Sequence, residues 1–482
     1  VLTTLDWILI FNSIAALILV FFEEKRPRKA VAWLLIMILL PVAGIILFII
    51  FGQNFRKKKQ AARKSARDRM YVHDLIDAHR IDYLTATSSL EEVGMRSHDD
   101  MVNLLVNNSD AFLTHDNDVT FFSDGKEYFN ALFAAIEGAR EHVHVQYYII
   151  RHDRLGCSFL DLLKRKSREG VEVRLLVDGV GTRLPMRCIS SLREAGVKVE
   201  VFFPPLLSFL PFLNHRINFR NHRKITVIDG RISFIGGYNV GNEYLGKVRR
   251  WGYWRDAALR IDGMAAQALQ LRFLLDWNEA SRDKMDVEER YFPKDVPRRG
   301  RVPVQIVSSG PDTPWSPIKL SYLKMIHEAE ESIYIQSPYF VPDESVREAL
   351  IMASLSGIDV RIMIPDKPDH PFVHWVSLSY LCELLPAGVR GYLYGSGFIH
   401  AKTVVVDGRI ASIGSANWDV RSFELNFETN AVLYSNEVAG MQKASFLDDL
   451  SLCRELTKED CDRRPLLVRF RMFVSRLFSD IL

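Results

Sequence analysis

A chain of 482 residues, 48% hydrophobic and 25% charged, exceeds one ordinary domain and is globular in composition with apolar sequence to spare. Its formal charge of +3 is too small at this length for a general nucleic-acid coat. Cys157, Cys188, Cys382, Cys453 and Cys461 show no CxxC pairing, so neither a zinc site nor a disulfide framework is indicated and all five read as reduced, inert thiols.

Two apolar runs open the chain, WILIFNSIAALILVFF from Trp7 to Phe22 and AVAWLLIMILLPVAGIILFIIFG from Ala30 to Gly52. Each is close to the ~20 residues a bilayer span requires, which predicts a transmembrane hairpin within residues 1–55. A cleaved signal peptide is the competing reading of the first run, but a basic n-region and an A-x-A site are missing and a second apolar run follows. Both the loop EEKRPRK and the exit NFRKKKQAARKSARDR are basic. The exit carries more positive charge, which places the body of the protein on the cytoplasmic side. Residues 56–108 are polar, with weak helical periodicity in MYVHDLIDAHRIDYL, and read as a basic connector near the membrane surface.

Beyond the connector, strand patterns alternate with helix patterns, and the series occurs twice. HVHVQYYII, SFLDLLKRKSREG, VEVRLLVDG and LREAGVKVEVFFP are matched in order by SIYIQSPYF, SVREALIMASLSG, IDVRIMIPD and LLPAGVRGYLYG. The predicted fold is therefore α/β: two duplicated lobes, 109–295 and 296–482, each a mixed sheet with helices on both faces, arranged about a pseudo-twofold axis.

The two series end alike, in NHRKITVIDGRISFIGGYN and IHAKTVVVDGRIASIGSAN. His222 and Lys224, like His400 and Lys402, lie two apart, so on a strand both side chains leave by one face. Two cations on one sheet face need an anion, and a duplicated chain brings two such faces together. With a phosphodiester between the lobes, Lys224, Lys402, Asn239 and Asn417 would hold its oxygens as charge builds. One neutral imidazole would attack phosphorus while the other protonates the departing alkoxide, leaving a phospho-histidine that water hydrolyses or an alcohol accepts. Each imidazole needs a partner that fixes its tautomer; Asp256 in the first half and Glu428 in the second are the candidates, with Glu243 a rival for the first. Asp229 and Asp407 complete each HxKxxxxD but sit at Asp-Gly turns, where capping the hairpin is an equal alternative to chemistry. His142, His144, His152, His370 and His374 have no counterpart in the repeat and read as structural or rim residues. No metal-ligand spacing occurs, and the lysines supply the positive charge a cation would, so no metal or cofactor is expected.

The double HxKxxxxD, followed by GGxN and GSxN, resembles the phospholipase D superfamily over nearly the whole chain. More narrowly, LLPVAGIILFIIFG, RNHRKI, the WRD at Trp254 to Asp256, FLLDWN, IVSSGPD, YIQSPYFVPDESV, GFIHAKT and NWDVRSFELNFE resemble landmarks of bacterial cardiolipin synthases. The resemblance implies condensation of two phosphatidylglycerol molecules into cardiolipin and glycerol, through a phosphatidyl-histidine and without a metal. It also implies His222 as nucleophile, His400 as acid and base, and a phosphate contact from Ser415, where the first copy has Gly237.

Two further features suit a lipid substrate. FFPPLLSFLPFL, Phe202 to Leu213, is either an apolar lip that dips into lipid or a buried connection. RRPLLVRFRMFVSRLFSDIL puts Leu467, Phe470, Phe473, Val474, Leu477, Phe478 and Ile481 at helical spacing among arginines, the pattern of an interfacial helix on anionic lipid or of a helix packed on a lobe. The expected partners are phosphatidylglycerol and anionic membrane lipids, not nucleic acid. The rival readings are a membrane-anchored phospholipase D or another phosphatidyltransferase, with a nuclease and a catalytically dead scaffold further off.

Overall fold

The computed structural model describes residues 7, 10–14, 34–40, 44, 98–204, 219–296, 300–313, 315–367 and 369–477. The chain divides into two units, one made of Val1–Lys59 with Pro205–Asn218, the other of Gln60–Pro204 and Phe219–Asp480. In the first unit the buried Asn12 amide donates to the Met37 carbonyl at 2.5 Å, tying the first apolar run to the second. Most of both predicted spans, and the apolar lip beyond Pro204, lie outside the described residues. Among the described residues no helix is long and apolar enough to cross a membrane.

The second unit holds both lobes on one continuous sheet. The first lobe contributes β1 (Leu113–Phe122), β2 (His142–Tyr147), β3 (Glu172–Asp178), β4 (Lys198–Phe202), β5 (Ile225–Ile228), β6 (Ile232–Gly236), the short β7 (Tyr253–Arg255) and β8 (Ala258–Asp262). The second contributes β9 (Val302–Ser309), β10 (Ser332–Gln336), the short β11 (Phe340–Val341), β12 (Asp359–Pro365), β13 (Arg390–Tyr394), the short β14 (Gly397–Ile399), β15 (Thr403–Val406), β16 (Ile410–Gly414), the short β17 (Trp418–Asp419), β18 (Glu428–Tyr434) and β19 (Cys453–Leu456). The order β4-β3-β2-β5-β6-β8-β1 continues through β9 into β18-β16-β15-β10-β12-β13-β19. Within each lobe the central strand has one parallel and one antiparallel neighbour, β3 and β5 for β2, β12 and β15 for β10. The predicted mixed sheets and their duplication are present.

Central strands such as HVHVQY and ITVI are buried along their whole length, as expected where both faces of a sheet are covered. One core is shared: Ile225, Val227, Ile235 and Leu259 of the first lobe cluster with Val405, Ile413, Ala431 and Leu433 of the second. At roughly 1.5–3 kcal/mol for each buried aliphatic side chain, separating the lobes would expose more apolar surface than either could tolerate alone.

The hairpins that follow the His-Lys pairs turn on Asp-Gly. Asp229 and Gly230 have φ of 51° and 61°, Asp407 and Gly408 of 55° and 66°, a left-handed pair that aspartate and glycine accept more readily than other residues. The Asp229 carboxylate accepts the backbone N–H groups of Arg140, Glu141 and His142, each at 2.9 Å. Asp407 repeats this with Glu330, Glu331 and Ser332 at 2.9, 2.8 and 2.7 Å. Both aspartates, candidates for catalysis on the motif alone, thus stand at the far ends of β5 and β15 from the lysines and pin the starts of β2 and β10. Their role is architectural because three amides occupy each carboxylate.

The end of the expected connector also belongs to the body. The helix Asp99–Ser109 buries Met101, Val102 and Leu105 against Ile318 and Tyr322 of the second lobe, and Gln305 donates to the Val102 and Ala111 carbonyls at 3.2 and 2.6 Å. His142 and His144 are core residues, His142 edge-on to Tyr291 and His144 stacked on Phe273.

The expectation of five reduced thiols fails for two of them. Cys382, in the helix Pro371–Leu384, is disulfide-bonded to Cys461, 79 residues away in the helix Lys458–Asp462, a pairing that no local spacing announces. Cys157, Cys188 and Cys453 are free. Alkylation of the unreduced, denatured chain should label those three cysteines, with Cys382 and Cys461 labelled only after reduction. Replacing both bridged cysteines with serine should lower unfolding stability by about 2–4 kcal/mol, measured by denaturant titration.

Candidate active site

Backbone pairing between the lobes builds the site. The segment leading to the first motif bridges Asn221 to Phe427, and the His222 N–H donates to the Phe427 carbonyl at 2.9 Å. In the other half β14 runs parallel beside β7, and the His400 N–H donates to the Arg255 carbonyl at 2.7 Å. In both cases the accepting residue immediately precedes a carboxylate in the opposite lobe, Glu428 or Asp256.

The side chains follow this register. His222 Nδ1 lies 3.0 Å from both Glu428 oxygens, and His400 Nδ1 lies 2.6 Å from Asp256 Oδ2. The sequence assigns each carboxylate to the histidine of its own half; the structure exchanges them, so each ring is oriented by the other lobe. Glu243, the rival for the first half, pairs with Arg151 at 3.2 Å. An ionised carboxylate only accepts hydrogen bonds, so each Nδ1 carries its proton and each Nε2 keeps the lone pair required of a nucleophile or base.

The carboxylates are supported differently. The Ser415 hydroxyl donates to Glu428 Oε2 at 2.6 Å and the Asn426 amide donates to Oε1 at 3.1 Å. Ser415 therefore braces the carboxylate in place of the expected phosphate contact. Asp256 Oδ1 accepts the Ala257 N–H at 2.8 Å, and a Cβ on Gly237 would lie 2.0 Å from that oxygen. The repeat thus carries serine beside the longer glutamate and glycine where the shorter aspartate needs the room.

Lys224 and Lys402 are fully enclosed, and each ammonium donates to the carbonyl of its own motif's histidine. Burial pulls Lys224 down to about 7 and Lys402 down to about 8, against the attraction of Glu428 and Asp256. Burial also lowers both histidines, His400 to about 4 with help from Lys402. For Glu428 burial acts upward, but His222, Lys224 and the Ser415 hydroxyl outweigh it and hold the carboxyl below its usual value. Near neutral pH the site therefore offers two uncharged imidazoles, each beside a carboxylate, with lysines whose charge a bound anion would reinforce.

Asn239 is drawn aside, donating to the Tyr244 hydroxyl at 2.6 Å and accepting the Ile149 N–H at 3.1 Å, whereas the buried Asn417 Oδ1 has no hydrogen-bond partner. Tyr244, Trp254 and Phe398 wall His400, with ring centroids 5.9, 5.5 and 6.2 Å away. Tyr148 packs on His222 at 4.9 Å. Comparing the repeats cannot find these aromatic residues or Asn426, because their counterparts differ in the other half; Trp254, Phe398 and Asn426 are signalled only as members of the landmark segments WRD, GFIHAKT and NWDVRSFELNFE.

This geometry defines a duplicated α/β enzyme whose two halves share one His-Lys site, and known proteins match it. Residues 132–273 and 322–450 match the family "Cardiolipin synthase, PLD-like domain", and residues 10–53 match "Phospholipase_D-nuclease N-terminal". The chain is 45% identical to cardiolipin synthase 2 of Staphylococcus epidermidis, over 98% of this chain and 96% of that one. It is 46% identical to the major cardiolipin synthase of Bacillus subtilis, over 98% of each. Crystalline phosphatidylserine synthase of Haemophilus influenzae shares the fold at 16% identity, with a TM-score of 0.58 over 76% of this chain and 95% of that one. The chain belongs to the cardiolipin synthase family of the phospholipase D superfamily, and it is an enzyme of the phosphatidyltransferase class.

Two outcomes follow for the site. Glu428→Gln, Asp256→Asn and Gly237→Ser should each lower turnover by about 10- to 100-fold, read in steady-state assays, because each disturbs the group that holds an Nδ1 proton. Sulfate, whose charge is constant across the range, should bind as a phosphate mimic and take up protons, since an anion raises the lysine pKa values. Its Kd should rise about tenfold or more from pH 6.5 to pH 9, as Lys224 and then Lys402 lose charge, measured by calorimetry in buffers of different ionisation enthalpy.

Proposed function

We propose that the enzyme joins two phosphatidylglycerol molecules into cardiolipin and releases glycerol, with His222 as nucleophile and His400 as acid and base. The observation that carries this reading is the crossed pair of carboxylate-held imidazoles, each within electrostatic reach of both buried lysines. His222 Nε2 attacks the phosphorus of the first lipid while Lys224 and Lys402, with Asn417, take the charge that builds on the non-bridging oxygens. His400 delivers a proton to the departing glycerol oxygen. The terminal hydroxyl of the second phosphatidylglycerol then gives its proton back to His400 and displaces His222 from phosphorus. Both histidines start neutral, so His400 is protonated by solvent in the anion-bound complex, where the phosphate offsets the repulsion of Lys402.

The membrane relation belongs to the same proposal. The two amino-terminal apolar runs span the bilayer, and the carboxyl-terminal helix lies on it. That helix, Leu466–Leu477, turns Leu466, Phe470, Phe473 and Leu477 outward, Phe470 being 62% and Phe473 60% exposed, beside exposed Arg469 and Arg471. Apolar side chains on the outward face of a helix, flanked by arginines, fit an anionic lipid surface. The charge bias of the exit segment favours lobes facing the cytoplasm. The Cys382–Cys461 bond favours the opposite side, because cytoplasmic thiols are kept reduced.

Supplied with phosphatidylglycerol vesicles, the enzyme should yield cardiolipin and glycerol by lipid chromatography; phosphatidic acid as the main product would instead support the hydrolytic rival. His222→Ala and His400→Ala should each abolish synthesis, and a chelator should leave it unchanged. Quenching without acid should trap labelled lipid phosphate on His222; label on His400 would reverse the two roles. Phe470→Ser with Phe473→Ser should weaken retention on anionic vesicles in flotation assays.

A further inference from the structure

Two buried arginines, one beside each imidazole-carboxylate pair, have no part in the phosphoryl-transfer scheme. Arg223 lies between His222 and Lys224, and Arg255 precedes Asp256. The Arg223 guanidinium donates through Nε to the Glu428 carbonyl and through Nη2 to the Ser309 carbonyl, both at 3.1 Å. Ser309 is the residue paired with Glu428 across β9 and β18. Arg255 Nη1 donates to the Asp256 carbonyl, and to that of Ser123, just past the end of β1, at 3.2 Å. Each arginine therefore grips the peptide of a carboxylate that orients a histidine, together with the end of a neighbouring strand.

Both are anchored in the same way. Arg223 Nη1 reaches Asp276 Oδ2 at 2.5 Å, and Arg255 takes Asp449 with Nε at 3.2 Å and Nη2 at 3.0 Å. These aspartates sit near the ends of the helices Ala265–Ala280 and Asn436–Leu450. Each also accepts a buried glutamine of its lobe's central strand, Gln146 at 2.7 Å and Gln336 at 2.8 Å. Glutamine and aspartate recur at matching places in the repeat, and the arginine does not. Where the first motif has Arg223 the second has Ala401, and where Arg255 precedes Asp256, Phe427 precedes Glu428. Each crossed site thus receives one arginine, from the histidine segment in one and from the carboxylate segment in the other. The arginine changes its place in the sequence and keeps its target, so the carbonyl of the orienting residue is what both sites require to be held.

We infer that Arg223 and Arg255 are positioning residues, each fixing the carboxylate that orients one histidine, so that Arg223 serves nucleophilic attack and Arg255 serves proton transfer. The inference rests on the proposed roles of His222 and His400 and adds what keeps their carboxylates in register. A guanidinium suits the task because its planar fork spans an aspartate and two carbonyls at once, which a lysine cannot do.

Two leaving groups separate the steps. In a phosphatidyl ester of p-nitrophenol, attack by His222 Nε2 forms the N–P bond and expels nitrophenolate with its electron pair, and this leaving group requires no proton. With phosphatidylglycerol, the departing glycerol oxygen takes a proton from His400. Single-turnover release of nitrophenolate and of labelled glycerol is measured on one preparation of enzyme, with each ester carried in phosphatidylcholine vesicles, so that their ratio does not depend on the folded fraction. Arg255→Lys keeps a charge beside Asp449 but loses the fork; it should slow glycerol release about tenfold or more and nitrophenolate release by less than about threefold. Arg223→Lys should slow both releases by the same factor, about tenfold or more. Asp449→Asn and Asp276→Asn, which are close to isosteric, should each repeat the pattern of the arginine they anchor, and they keep the comparison readable if a lysine variant fails to fold. Equal slowing of both releases in Arg255→Lys and Asp449→Asn, as a purely structural role requires, would overturn the inference, as would wild-type rates in all four variants. Nitrophenolate release spared in Arg223→Lys and lost in Arg255→Lys would exchange the roles of the two histidines, overturning that assignment while supporting the positioning. A wild-type enzyme that releases neither product would overturn the functional reading and the inference with it.

Discussion

The site depends on one backbone constraint: the residue that begins each His-x-Lys motif hydrogen-bonds to the carbonyl just ahead of a carboxylate in the other lobe. This register delivers Glu428 to His222 and Asp256 to His400, so neither lobe contains a complete imidazole-carboxylate pair. Buried charges tolerate no vacancy, since removing one member leaves another unpaired in a low-dielectric interior at a cost of several kcal/mol. Assembly of the site and association of the lobes are consequently one structural fact, and the core they share serves both.

The two halves are similar without being equal. Glutamate in the second lobe is braced by Ser415 and Asn426, whereas aspartate in the first sits hard against Gly237 with a single backbone donor. His222 lies against Tyr148, His400 against Tyr244, Trp254 and Phe398. A symmetric pocket would treat the two faces of a phosphodiester alike. An asymmetric one can keep one histidine for covalent attack and the other for proton transfer, with a lipid-specific environment on each side.

The lysines link anion binding to the charge of the site. Buried together, Lys224 and Lys402 bind protons weakly, and each donates to the carbonyl of its own motif's histidine. A bound phosphate reverses both conditions, which couples substrate binding to charging of the site.

Much of this was legible in the chain itself. Duplication, the mixed sheets, the Asp-Gly hairpins and the two His-Lys pairs follow from periodicity and local turn chemistry, which depend on residues a few positions apart. Asp256 and Glu428 were readable as orienting carboxylates, but not which histidine each would serve, because that is a choice between lobes separated by more than a hundred residues. The roles of Asp229, Asp407 and Ser415 were likewise ambiguous: a carboxylate or hydroxyl has the same letter whether it meets a backbone amide, another carboxylate or substrate. Tertiary structure alone decided the crossed pairing and the Cys382–Cys461 bond. Each rests on contact between segments whose sequences carry no mark of one another.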